Sequence, residues 1–232
     1  MGILIVLVLC GDAAAIASIR QEDRAVAQRP APSPTSTTTA PPSPVLFRDE
    51  FSDTTAFLAG EDEGYVVTID GRLRQRFKKD LDTYRSVPEH LPERMRIEQA
   101  QDVSVAVEAE MLLGEPDTWF GVFCRFNGLG TDLYRGKVAP NGGWSIDRSS
   151  IGDRYRSLTL LSGLAPSVGP GVHRIRMDCT GSGVVNIHLF IDGEEVGTGI
   201  DSDGLGSGNI GIAAGSTTGE VAFDNLVVTE LR

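Results

Sequence analysis

From Val45 to the C-terminus the chain repeats one pattern: four to ten residues in which apolar and polar side chains alternate, then a break rich in Gly, Pro, Asp or Asn. Alternation with a period of two is the mark of a half-buried strand. It predicts strands over Val45–Phe51, Tyr65–Ile69, Arg72–Phe77, Val103–Leu112, Trp119–Phe126, Leu133–Val138, Trp144–Arg148, Leu158–Leu161, Val172–Cys179, Val184–Ile191, Glu195–Ile200, Gly208–Ala213 and Val221–Thr229. Asp192-Gly193 between two of them has the chemistry of a type I′ hairpin turn, which needs positive φ at both central residues. With helix scarce, these strands predict an all-β domain of two packed antiparallel sheets.

Successive strand residues point to opposite faces, so the same pattern sorts side chains into core and surface. In the strand beginning at Trp119, the uniformly apolar set Phe120, Val122, Cys124 and Phe126 marks the inward face. Trp119, Phe123 and Arg125 are then expected outside. If Tyr134 and Val138 of the next strand join Cys124 in the core, Arg135 and Lys137 fall on that same outer face. Trp144 shares a face with Ile146 and reads as core. In Val172–Cys179, Ile175, Met177 and Cys179 share the face opposite Arg174, Arg176 and Asp178.

Cys124 and Cys179 thus both point inward. In an exported chain they favour a disulfide, which would close a loop of about 55 residues and stabilise by roughly 4 kcal/mol. The alternative is a pair of buried thiols acting as small apolar side chains.

Residues 1–44 have a different character. Ile3 to Leu9 is an unbroken apolar run of signal-peptide length, far short of the ~20 residues that span a bilayer. Ala13-Ala14-Ala15 supplies small residues for cleavage, although no basic flank precedes the run. Cys10 after Leu7-Val8-Leu9 resembles a lipoprotein acylation site, with Leu9 where a small residue is wanted. Residues 29–44, RPAPSPTSTTTAPPSP, cannot bury a core and read as a semi-extended stalk. The expected organisation is 1–28 signal peptide or membrane anchor, 29–44 stalk and 45–232 folded domain, in an extracytoplasmic setting.

The net charge of −11 lies wholly beyond residue 44, because residues 1–44 hold three basic and three acidic side chains. Such a surface repels phosphate-rich partners, so nucleic acid is not an expected ligand, and membrane association is expected only through the N-terminal segment.

The runs RDEFSD, GVFCRF, GGWSI, HRIRMDCTGSG, LFIDGEEV, GNIGIAA and VAFDNLVV resemble the concanavalin A-like jelly-roll modules of bacterial exported proteins, relatives of laminin G-like domains. The resemblance covers nearly all of residues 45–232 and implies a jelly-roll sandwich. It specifies fold better than function, since that superfamily holds lectins, glycanases and adhesion modules. It also implies a structural calcium site joining the terminal strands, for which Asp49, Glu50, Asp224 and Asn225 are the oxygen donors of suitable type, Glu50 and Asp224 foremost.

Two kinds of chemistry fit such a domain. Ligand binding is expected on the outer face carrying Trp119, Phe123, Arg125, Arg135 and Lys137, where a ring covers sugar C–H groups and cationic forks bond hydroxyls or carboxylates. The expected activity is a non-catalytic binding or adhesion module for polysaccharide or cell-envelope glycan. The alternative is an exported glycoside hydrolase, which needs two carboxylates across the scissile bond. Glu108-Ala109-Glu110 is the nearest match, with the spacing of the middle aspartate and the last glutamate absent. His90, His173 and His188 have no metal-ligand spacing, and no G-x-S-x-G or phosphate-cradling loop occurs.

Overall fold

The computed structural model describes residues 43–52, 60–61, 65–87, 91–114, 116–127, 132–150, 156–165 and 168–232. The signal, stalk and Cys10 expectations, and His90, lie outside these residues. Strands and one helix follow in the order β1 (Val45–Asp49), β2 (Gly60–Glu61), β3 (Tyr65–Ile69), β4 (Leu73–Phe77), β5 (Leu81–Ser86), α1 (Pro92–Gln99), β6 (Val103–Leu113), β7 (Trp119–Phe126), β8 (Asp132–Val138), β9 (Gly143–Ser150), β10 (Arg156–Leu164), β11 (Val172–Thr180), β12 (Val185–Ile191), β13 (Glu194–Asp201), β14 (Asn209–Ser216) and β15 (Glu220–Glu230).

Among the described residues they form two antiparallel sheets. The larger has nine strands in the order β13-β12-β11-β6-β15-β4-β3-β2, with β1 also pairing β15. The smaller has six, in the order β10-β9-β8-β7-β14-β5. Hairpin neighbours alternate with pairings between strands far apart in sequence, β11 with β6, β6 with β15, β15 with β4 and β1, and β14 with β7 and β5, the crossing connectivity of a jelly-roll sandwich. Asp192 and Gly193 have φ of 53° and 88°, as a type I′ turn requires.

The inner faces meet in one continuous core. Val103, Val105 and Val107 of β6, Ile175 and Met177 of β11, and Ile187 and Leu189 of β12 pack toward Phe120 and Val122 of β7, Tyr134 of β8, Ile146 of β9 and Ile212 of β14. Trp144 belongs to this core at 8% exposure. Cys124 and Cys179 are fully buried and joined as a disulfide, with Cα atoms 6.8 Å apart, tying the six-stranded sheet to the nine-stranded one.

Three elements escaped the hydrophobic pattern: the two-residue β2, β5 and α1. β5 reads LDTYRS, whose inward residue Thr83 is polar and is satisfied by Gln75 Oε1 at 2.9 Å. Helix α1 has Pro92 in its first turn and Ile97 as its fully buried side chain, too little periodicity to register in sequence.

Candidate functional site: the outer face of the six-stranded sheet

Alternation in β7, β8 and β9 turns Trp119, Phe123, Arg135, Lys137, Ser145 and Asp147 outward. Register then places Phe123, Arg135 and Asp147 in one row across the three strands, and Gly121, Lys137 and Ser145 in the next. On the other side β14 sets Gly215 opposite Trp119, and β5 sets Asp82 opposite Gly215. Gly215 is required here, because a Cβ would stand 2.4 Å from both Trp119 Nε1 and Asp82 Oδ1. The indole lies in the room that this glycine leaves.

Beneath and beside the indole is an ionic network. Arg135, 3% exposed, donates to Asp82 Oδ2 at 3.0 Å, to the Tyr84 hydroxyl, and to Asp147 Oδ2 at 3.3 Å. Its guanidinium lies 4.7 Å from the Trp119 ring centre. Lys137 Nζ is 2.8 Å from Asp147 Oδ2 and 5.5 Å from the same ring. Thr159 donates to the other oxygen of Asp147 at 3.0 Å. Burial opposes the charged form of Asp147, but Lys137, Arg135 and Thr159 outweigh it and hold the carboxyl below its usual range. Burial pushes the Tyr84 phenol up, so it stays protonated. Two cations facing two carboxylates fix the Trp119 ring from one side by cation–π contact.

Phe123 shares this face but is fully buried, forming with Leu133 and Ala213 a small apolar cluster against which Tyr84, Trp119 and Phe126 pack. Tyr84 and Phe126 meet its ring edge-on at 5.8 and 6.0 Å. It supports the surface and does not meet solvent.

Arg125 departs from the expected face. Its φ is 59°, and the pairing of β7 with β14 slips between Asn209 and Gly211 opposite this residue. This bulge reverses the alternation, as an extra unpaired residue does. Phe126, read as core, swings out beside Phe123. Arg125, read as a surface fork, is 2% exposed and donates to the carbonyls of Leu205 (2.6 Å), Gln101 (2.8 Å) and Gly181 (2.7 Å). It is a structural clamp on three connecting segments, separate from Arg135 and Lys137. Tyr134, as read, is a core residue. Its hydroxyl donates to Asp201 and accepts from Leu205 N, and burial raises its pKa to about 12.

Beside Trp119 an open depression of about 300 Å³ is lined by Asp117, Lys137, Asn141, Ser145 and the edge of Trp144. Asp117 is the one carboxylate among its lining residues, and it accepts from Thr217 N at 3.1 Å and from the Thr217 hydroxyl. Asp147, 1% exposed, is sealed beneath. The arrangement offers a ring surface, an amide, a hydroxyl and an ammonium, and no carboxylate pair for acid–base hydrolysis.

Chains of known structure share this architecture. One is the carbohydrate-binding module CBM66 from Bacillus subtilis, with 13% identity and a TM-score of 0.50 over 72% of this chain and 92% of the module. Another is the GH43 protein BlXynB from Bacillus licheniformis, with 14% identity and a TM-score of 0.54 over 79% of this chain. The present chain corresponds to 39% of that protein's length. The third is the kappa-carrageenase from Pseudoalteromonas carrageenovora in complex with an oligotetrasaccharide of kappa-carrageenan, with 10% identity, a TM-score of 0.50, and coverage of 84% and 98%. At these identities the likeness is one of fold. No protein-family model matches the sequence, and no curated protein matches it.

The other sequence candidates lie elsewhere. Glu108 and Glu110 stand on the outer face of the nine-stranded sheet, Glu108 accepting from Asn225 Nδ2 at 2.9 Å and Glu110 paired with Arg72 at 2.7 Å. Strands β1 and β15 pair as the calcium expectation requires, with Asp49 opposite Leu226. Their carboxylates, however, cap local backbone: Asp49 accepts from Phe51 N and Asp224 from Asn225 N, each at 2.7 Å. Among the described residues no three His, Cys, Asp or Glu side chains gather as a group that could hold a metal ion. Of the histidines, His173 bonds Asp192 and the Gly169 carbonyl, while His188 bonds Glu195 and Thr198.

The sequence reading missed Asp82, Tyr84, Gly215 and Asp147. Asp147 was legible, sharing the outward face of WSID with Ser145; the others needed the pairing of β5 and β14.

Proposed function

We propose that this chain is a non-catalytic carbohydrate-binding module of an extracytoplasmic protein, and that it binds a polysaccharide or envelope glycan on the outer face of its six-stranded sheet. The observation that carries the reading is the partly exposed Trp119 ring, braced by Arg135 and Lys137 beside a depression that presents Asn141 and Ser145. A rigid ring presents an apolar surface to sugar C–H groups at little entropic cost, and the amide and hydroxyl meet sugar hydroxyls. The likeness in fold to CBM66 is in keeping with this use.

Chemistry supports this setting. A disulfide between two fully buried cysteines suits an oxidising compartment, and the proline- and threonine-rich residues 29–44 suit a spacer between an export or anchor segment and the domain. A protease-accessibility assay on intact cells tests the location: the domain is cut from outside, and protection until lysis refutes it.

For the function itself, the full-length protein is screened on a glycan array and against bacterial polysaccharides. A hit whose affinity falls about 30-fold in Trp119→Ala, the loss of a ~2 kcal/mol anchor, supports the reading. No binding to any glycan overturns it. Release of reducing sugar would move the chain to the hydrolase reading, and its loss in a Glu108→Gln, Glu110→Gln double variant would assign the acids.

A further inference from the structure

A second face carries a different kind of groove. In β4 the inward residues are Leu73, Gln75 and Phe77, at 0, 0 and 4% exposure, so alternation turns Arg72, Arg74, Arg76 and Lys78 outward. Successive members are about 7 Å apart, two residues at ~3.3 Å each. This row of cations lies in a domain whose net charge is −11. Arg72 pairs with Glu110 and Arg74 with Asp70, the latter at 3.3 Å, and β15 sets Glu220 opposite Arg76. β3 sets Thr68 opposite Arg74, and β6 sets Leu113 opposite Glu220. Thr68, Arg74, Arg76, Lys78 and Leu113 therefore share one groove of about 520 Å³ across the end of the nine-stranded sheet, with Thr218 and the Glu220 carboxylate also in its lining. Leu113 is 56% exposed there.

We infer that this groove binds an acidic glycan through sulfate or carboxylate groups. Two guanidinium forks and an ammonium in a row bond planar or tetrahedral oxyanions, with Arg favouring bidentate contact. The threonine hydroxyls meet sugar hydroxyls, and Leu113 meets ring C–H groups. The cations are interleaved too closely with Asp70 and Glu220 for a phosphate-dense partner. Duplex DNA carries one charge per ~1.7 Å, and an anionic bilayer is a continuous negative surface, which the net charge of this chain repels. A sparse anionic chain avoids both conflicts. The site lies on the sheet opposite Trp119, so it stands or falls independently of the site proposed above.

The test is affinity electrophoresis of the full-length protein in native gels containing dextran sulfate, polygalacturonate or neutral dextran. The acidic polymers retard the protein and neutral dextran does not, with the stronger of the two naming sulfate or carboxylate. Arg74→Gln with Arg76→Gln weakens retardation by about 10-fold or more, the equivalent of 1.4 kcal/mol, while Arg74→Lys with Arg76→Lys retains part of it. Trp119→Ala leaves it unchanged, and 1 M NaCl, with a Debye length of about 3 Å, releases it. Absence of retardation in both acidic gels overturns the inference. So does equal retardation of the glutamine variant, or tighter binding to duplex DNA or phosphatidylserine vesicles than to either polymer.

Discussion

Replacing Arg125 with Met keeps the length and apolar stem of the side chain and removes its guanidinium. That group makes hydrogen bonds of 2.6, 2.8 and 2.7 Å to the carbonyls of Leu205, Gln101 and Gly181, on three separate connections. Hydrogen bonds to a charged group contribute about 1.5–3 kcal/mol each, and they are not additive when one donor group makes all three. The carbonyls, moreover, lose their partner inside the protein. A loss of about 4 kcal/mol follows, in the range seen when one side of a buried polar network is removed. For a domain of this size 1 kcal/mol shifts Tm by roughly 2–4 °C, so Arg125→Met melts about 8–16 °C lower. Arg125→Lys, with one ammonium for three acceptors, falls between. Thermal unfolding followed by near-UV circular dichroism measures both. A shift below about 3 °C for Arg125→Met would mean that the residue faces solvent as simple alternation implied, and the account of the bulge would be wrong.

Reduction of the disulfide, or Cys124→Ala with Cys179→Ala, costs roughly 4 kcal/mol by closing no loop of 55 residues in the unfolded chain; denaturant melts with and without reductant read it, and an unchanged midpoint would contradict the bond. Gly215→Val drives a side chain into Trp119 and Asp82, so glycan binding falls at least as far as in Trp119→Ala; wild-type affinity would show that the indole does not need that space. His173 has an acceptor at each ring nitrogen, Asp192 at 2.8 Å and the Gly169 carbonyl at 2.8 Å. Burial opposes its charge, but these bonds prevail and raise its pKa above the ordinary 6.5. A raised value means that its stabilisation is fully present below pH 6.5 and is lost as pH rises through the folded-state pKa. Denaturant midpoints from pH 5 to 9 should show this loss in the wild type and not in His173→Gln; parallel profiles would refute it. Asp147 and Asp201, whose carboxyls are lowered, act in the opposite direction: their contribution is present above about pH 3.8 and is lost as pH falls further.

The legibility of this fold followed its periodicity. Wherever an inward face was uniformly apolar, as in Ile175, Met177 and Cys179, alternation located strand and face and turned both cysteines inward; the bond between them rested also on the expected export. It failed where one residue breaks the period. Arg125 at φ 59° exchanges places with Phe126, and Asn225 at φ 52° interrupts β15, where the pairing with β6 slips between Asp224 and Val227. A positive φ in a non-glycine residue leaves no mark in hydrophobicity. β5 was invisible for another reason, because its inward Thr83 is satisfied by Gln75 and not by apolar contact. That strand supplies Asp82 and Tyr84, so Arg135 could be placed on the right face from sequence while these two of its partners could not. Exposure was the other hidden quantity: Trp119 and Phe123 share a face, yet only the pairing with β14 and β5 shows that one ring reaches solvent and the other lies beneath it.

The central claim is that Trp119 and the depression beside it hold a glycan. An isotope-labelled full-length protein is titrated with the best polysaccharide fragment from the array while amide and indole resonances are followed. The chain has two tryptophans, so Trp119→Phe identifies the Trp119 indole signal by its loss. The account predicts that this indole and the amides of Lys137, Asn141 and Ser145 shift most, while the Glu108 and Asp224 face stays still. Shifts confined to another surface, or none at saturating glycan, would contradict it.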